Sequence, residues 1–214
     1  MCGGQRNGRA AVELAGQVPE WNRNCREGFR VQAALLVIDA QQEYFAPVGG
    51  LVVEGGPEAL SKIKELLAAF RAAGRPVVHV VHEALDPDSS DFRAGSEGAR
   101  MHPELQTLAG EPVVKKHFPG AFSQTPLEAY LRRAGVDTVV ITGFQTQHCC
   151  DTTARQARER GFKVLFTSDA TATRNLLLRG EVVAAGEIQR ATLAAMTGFA
   201  EVVTAAEAAR AAQG

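Results

Sequence analysis

No run of apolar residues in this 214-residue chain approaches the roughly 18–20 that a membrane-spanning helix needs. The longest stretches, such as Ala33–Ile38, stop far short, so no membrane partner is expected. An excess of one charge is missing too. Its 23 Lys and Arg nearly cancel its 24 Asp and Glu, which argues against a nucleic-acid partner, a role usually marked by a basic stripe. The opening MCGGQRNGRAAVELAGQVPEWNRNCREGF lacks the apolar centre of a secretory signal, so a cytoplasmic protein is expected. In that compartment the four cysteines read as free thiols rather than a disulfide framework. Metal-ligand patterns such as HxH and HExxH are absent. His79 and His82 stand three apart on a strand-like run and face opposite sides, and His102 and His117 are isolated, so no metal is expected. Gly49-Gly50 and Gly55-Gly56 bracket LVVE as turns rather than a strand–GxGxxG–helix unit, so no dinucleotide cofactor is expected either. Internal repeats and low-complexity tracts are also missing. What the chain does have is 45% apolar residues, enough for a sizeable core.

Residues 1–28, rich in Gly, Arg, Asn and Gln, carry no clean periodicity and read as an extension. The single tryptophan, Trp21, lies there, either covering the domain's own core or docking on a neighbouring subunit. From residue 29 to 214 the pattern alternates. Continuous apolar runs at 33–39 (AALLVID), 76–82 (PVVHVVH), 112–116 (PVVKK), 136–142 (VDTVVIT) and 163–167 (KVLFT) predict strands buried on both faces. Between them, 57–73 has apolar residues at 59, 60, 63, 66, 67 and 70, one face of a helix, stopped by Gly74. Further helices are predicted after Thr125-Pro126, over about 149–160 and over about 186–197, with a final edge strand at 201–204. Strands alternating with helices imply right-handed crossovers. The expected fold is a three-layer α/β/α sandwich with a mostly parallel central sheet.

Ligands of such sheets bind beyond the carboxyl ends of the strands. Asp39 ends the first strand, His82 and Glu83 the second, Lys115 and Lys116 the third, and Gly143 the fourth; Asp169 follows the fifth. Beyond Gly143, FQTQH leads to Cys149 at the head of a helix. There, the helix dipole and unpaired N–H groups would stabilise a thiolate, and a nearby lysine would depress the thiol pKa further. Asp39 could take the thiol proton and return it to a leaving amine. The alternative for Cys149 is a small buried hydrophobe. Cys150 points about 100° away from its neighbour and is expected to pack against the sheet.

With these residues in hand, the chain resembles the isochorismatase-like cysteine hydrolases, which include nicotinamidases and N-carbamoylsarcosine amidohydrolase. The likeness runs from about residue 33 to 205. Its pieces are LLVIDAQQEYF at 35–45, RPVVHVVHEA at 75–84, EPVVKKHFPGAFSQTPLEAYL at 111–131 and VVITGFQTQHCCDTTARQARERGFKVLFTSDATAT at 139–173. The most specific are the lysine three residues ahead of a small-Ala-Phe triplet and a G-[apolar]-x-T-x-x-C segment before a T-x-A helix. The resemblance implies Asp39 as general base, Lys116 as charge stabiliser and Cys149 as nucleophile. It implies a cis Phe144–Gln145 peptide and an oxyanion hole formed by the backbone N–H groups of Gln145 and Cys149. It also implies a homo-oligomer, dimer or tetramer.

The sequence departs from the family at several points. Gly120 stands where Ser or Asn is usual, and Gln147 where His is often seen, with His148 shifted by one. Cys150 replaces a common Val, and the Asp-x-His metal pair of nicotinamidases is missing from HEALDPDSSDF. The expected activity is therefore metal-independent and cofactor-free hydrolysis of a C–N bond in a small amide, carbamoyl or ureido compound through a thioester. The alternatives are isochorismatase-type vinyl-ether hydrolysis and a non-catalytic binding member of the fold. Tyr44, Phe122, His117 and His148 are the expected substrate-binding side chains. Specificity is expected from 44–56, 83–110 and the neighbourhood of Phe118 and Phe122.

Overall fold

The computed structural model describes residues 32–213. The expectations for residues 1–28, Trp21 included, lie outside the described residues. Strand β1 (Ala33–Ile38) is buried along its whole length. Its side chains alternate between two cores, as a strand's period of two requires. Ala33, Leu35 and Val37 enter one and Ala34, Leu36 and Ile38 the other. Helix α1 (Gly56–Ala72) follows, with Pro57 in its first turn. It buries Ala59, Leu60, Ile63, Leu66, Leu67 and Phe70, the six positions that its periodicity picks out. Burial of each large apolar side chain contributes about 1.5–3 kcal/mol.

The chain continues through β2 (Val77–His82), β3 (Val113–Lys116), α2 (Leu127–Arg133), β4 (Thr138–Phe144), α3 (Asp151–Glu159) and β5 (Lys163–Ala172). A hairpin of β6 (Leu176–Leu178) and β7 (Glu181–Val183) precedes α4 (Ala185–Met196), β8 (Glu201–Val203) and α5 (Ala205–Ala209). The six-stranded sheet has the order β3-β2-β1-β4-β5-β8. Every pairing in it is parallel. On one face α1 and α5 cover the core around Phe70; on the other, α2 and α3 cover the core around Phe162 and Phe166. This is the expected three-layer α/β/α fold.

Three differences from the sequence reading have physical causes. Strand β5 runs to Ala172 rather than ending near 167, because its pairing with β4 shifts register between Ile141 and Gly143 and resumes at Thr171. Its second half, SDATA, is short-chained and polar and gives no apolar run. Asp169 therefore lies inside the strand, its Oδ1 accepts a hydrogen bond from the Ala205 N–H at 2.7 Å, and it does not line the cavity that holds Cys149. The hairpin and α5 are additional elements. Their signals are present in the sequence: Arg179 and Gly180 both take positive φ in the β6–β7 turn, and Thr204 with Glu207 forms a capping box for α5.

Candidate active site

The sheet's strand order reverses between β1 and β4, whose ends pair at Ile38 and Gly143. A crevice opens at such a switch point. Gly143 makes the junction close: at φ 113, a Cβ there would collide with the Ile38 carbonyl. Asp39 leaves β1 at φ 47, a left-handed conformation that costs a non-glycine residue about 1–3 kcal/mol and clusters at functional sites. The Phe144–Gln145 peptide at the end of β4 is cis. A π-helical turn over Thr146–Cys150 then carries Cys149 and runs directly into α3.

Lys116 joins these pieces. Alternation along β3 turns Lys115 outward to pair with Glu83 at 2.8 Å and Lys116 inward, where it is 1% exposed. Its Nζ reaches across β2 to three acceptors: Asp39 Oδ2 at 2.7 Å, Cys149 Sγ at 3.3 Å and His82 Nδ1 at 3.3 Å. An ammonium has three N–H donors. Through this lysine the Asp39 carboxylate and the Cys149 thiol are held on one ammonium. Asp39, Lys116 and Cys149, expected to converge, are thus brought into mutual contact.

The protonation states follow from burial and charge. Burial pushes the Asp39 carboxyl up, partly opposed by the Lys116 ammonium beside it. Burial pulls Lys116 down, but the Asp39 charge and the lysine's polar contacts with Asp39 and Cys149 outweigh it and leave the ammonium more basic than usual. Cys149 is pushed up, first by burial and then by Asp39, with Lys116 opposing. The resting group is therefore a thiol. This runs against the expectation of a depressed thiol pKa: Cys149 is 3% exposed, and desolvation together with the Asp39 charge outweighs the lysine. His82, lowered to about 4 by burial and by Lys116, is neutral and accepts from the ammonium. Gln41 fixes it in turn, accepting from the His82 N–H and donating to its carbonyl, both at 2.8 Å.

A cavity of about 510 Å³ opens onto the sulfur. Tyr44 and Leu51 line it from the 44–56 stretch, and Ala84, Ser89, Asp91 and Phe92 from the long loop after β2. Gln145, Gln147 and His148 contribute from the π turn, and Arg174 and Leu176 from beyond β5. Tyr44 packs edge-on against Phe92, ring centroids 5.3 Å apart, to form an aromatic wall. His148 sits with Nδ1 3.7 Å from the Cys149 sulfur. Gln145 and Cys149, whose N–H groups the resemblance nominates for the oxyanion, both line the cavity.

Two expected side chains fall elsewhere. Phe122 is buried against Phe162, under the Arg160 guanidinium, in the core between the sheet and α2–α3. His117 bonds through Nδ1 to the Glu83 carbonyl at 2.7 Å and does not line the cavity. The sequence singles out His82 as a strand end and a rejected metal ligand, and does not single out Asp91, Phe92 or Arg174. Arg174 lies just beyond β5, a position that an early strand end at 167 concealed. The departure at Gly120 has a structural partner: a Cβ there would strike the Gln156 carboxamide, which accepts from the Phe122 N–H and donates to Ser123 Oγ. Cys150 is fully buried, as expected of a packed neighbour. No group of three or more His, Cys, Asp or Glu side chains among the described residues is placed to hold a metal ion.

A family model for the isochorismatase domain matches residues 33–207, the whole span that carries this arrangement. The chain belongs to the isochorismatase family. This is a family of hydrolases. The chain is 35% identical to the isochorismatase family protein YddQ of Bacillus subtilis, over 82% of this chain and 97% of that one. It is 31% identical to the maleamate amidohydrolase of Pseudomonas putida, over 70% of this chain and 76% of the relative. A solved cysteine hydrolase from Pseudomonas syringae superposes with a TM-score of 0.80 at 29% identity, covering 86% of this chain and 94% of that one. In this isochorismatase-family chain, no helix among the described residues is long and apolar enough to cross a membrane.

Proposed function

We propose that the protein is an amidohydrolase that releases ammonia from a small, carboxylate-bearing amide through a thioester on Cys149. The observation that carries this reading is the Lys116 ammonium set between Asp39 and Cys149, at 2.7 and 3.3 Å. Asp39 takes the thiol proton as the sulfur attacks the amide carbonyl, so a charged thiolate need not stand free in a buried site. Lys116 stabilises the negative charge as it forms, and the N–H groups of Gln145 and Cys149 receive the oxyanion. Asp39 returns the proton to the amide nitrogen, the C–N bond breaks, and ammonia leaves. Water, deprotonated by Asp39, then attacks the thioester, releasing the carboxylic acid and restoring the thiol.

Arg174 supports the carboxylate. It lines the cavity, its Nε is buried without a hydrogen-bond acceptor, and it has no ion-pair partner among the described residues. A planar guanidinium left open in this way fits a substrate carboxylate. The maleamate amidohydrolase relative supports the same class, since maleamate is a small amide with a carboxylate.

Ammonia release from maleamate, succinamate and nicotinamide tests the reading, with Cys149→Ala as the blank. Turnover of the two acids and none by Cys149→Ala is expected. Arg174→Gln should raise KM for the acids about tenfold to a hundredfold while changing kcat less. Failure of every amide, with a vinyl ether cleaved equally well by Cys149→Ala, would overturn it.

A further inference from the structure

The cavity holds a second unpaired charge. Asp91 lines it opposite in sign to Arg174, yet the two form no ion pair, and among the described residues the Asp91 carboxylate accepts no hydrogen bond. Its position is nonetheless fixed. Ser89 Oγ donates to the Asp91 carbonyl at 2.8 Å and accepts from the Asp91 N–H. The following residue is anchored twice: Phe92 N–H donates to Glu43 Oε2, and its carbonyl accepts from Ala84 N–H at 2.9 Å. A carboxylate on a turn held this firmly, lining the cavity, is an organised acceptor rather than a loose surface charge. A further acceptor is unfilled nearby. Gln147 donates Nε2 to Gln145 Oε1 at 2.9 Å, which leaves its own Oε1 buried without a donor.

Resting on the amidohydrolase reading, we propose that the substrate is dipolar: besides the carboxylate on Arg174 it carries an ammonium group held by Asp91. The class is that of amino-acid side-chain amides and their close analogues. An unsubstituted acid amide offers no N–H donor to Asp91 from its backbone carbons and leaves Gln147 Oε1 unfilled. An ammonium-bearing one supplies N–H groups to this acceptor-lined wall, and charge-assisted bonds of this kind are the strong ones. The open positive and negative charges then fix the orientation of the molecule between them, leaving the amide at the sulfur.

The test compares pairs that differ only in the ammonium group: asparagine against succinamate, and glutamine against glutaramate. For at least one pair, kcat/KM is expected to favour the ammonium-bearing member by about tenfold or more. Asp91→Asn should collapse that ratio towards one, and Asp91→Glu, which keeps the charge, should retain most of it. The ratio within each variant is the readout, because a folding defect scales both substrates alike. Equal turnover within both pairs, or preference for the plain acids, with ammonia release still dependent on Cys149, overturns the dipolar substrate and leaves the amidohydrolase standing. A preference that survives Asp91→Asn unchanged also overturns it. No ammonia from these four compounds or from the amides above overturns both.

Discussion

At the scale of single residues, the site depends on how the three donors of one ammonium are shared. Lys116 holds a carboxylate, a sulfur and a neutral imidazole at once, and burial, reinforced by the negative charge of Asp39, keeps the Cys149 proton in place. Removing that charge should lower the thiol pKa while removing the base. Asp39→Asn is therefore expected to cut kcat/KM by about 10²–10⁴ and yet move the pH profile of Cys149 alkylation downward by about a unit or more. An alkylation profile unmoved or shifted upward would show that Asp39 does not face the sulfur as a charge. Under the proposed mechanism Asp39 acts ionised, and because burial raises its pKa the acid limb of activity should lie above the ordinary carboxylate range. The three residues were nameable from the sequence: strand ends picked out Asp39 and Cys149, and the family resemblance chose Lys116 over Lys115. The state of the thiol was not. A sequence displays a helix start, but it does not display the desolvation of a side chain that is 3% exposed.

Among the elements, β1 and β4 carry the greatest constraint. Their carboxyl ends approach so closely that position 143 admits no side chain, and its φ of 113 also suits glycine alone. Gly143→Ala should cost about 3 kcal/mol or more in chemical denaturation. A loss below about 1 kcal/mol would mean that the junction has room to open. Continuous apolar runs made the buried strands readable, and the six apolar positions of α1 were all located from periodicity. Specificity was less accessible. Stretches 44–56 and 83–110 were expected to shape the cavity and do so, through Tyr44, Leu51, Asp91 and Phe92. Phe122, close in sequence to the lysine, turns into the α2–α3 core instead, because proximity along the chain does not say which face of the sheet a loop serves.

Across the whole molecule, Glu111 joins three elements. It pairs with Arg71 of α1 at 2.7 Å, with His79 of β2 at 2.9 Å, and accepts from the Leu108 N–H in the loop before β3. Partial burial pushes its carboxyl up, but Arg71, Leu108 N–H and His79 outweigh this and hold it at about 2. A folded pKa below the unfolded value contributes stability that is present above about 4.5 and lost as pH falls towards 2. Glu111→Gln should thus destabilise the protein by about 1–2 kcal/mol at neutral pH, with the gap to wild type closing between those limits. A gap constant across that window, measured by urea unfolding, would place the effect in packing rather than charge.

The pairing of β1 with β4 has a consequence for the life of the chain. Asp39 and Cys149 lie on segments about a hundred residues apart and meet only once these two strands are side by side. Contacts of such long separation are closed late and at a cost in loop entropy. A chain still being made, or frayed by heat, carries an ordinary thiol with no base beside it. The Asp39–Lys116–Cys149 arrangement is thereby confined to folded molecules.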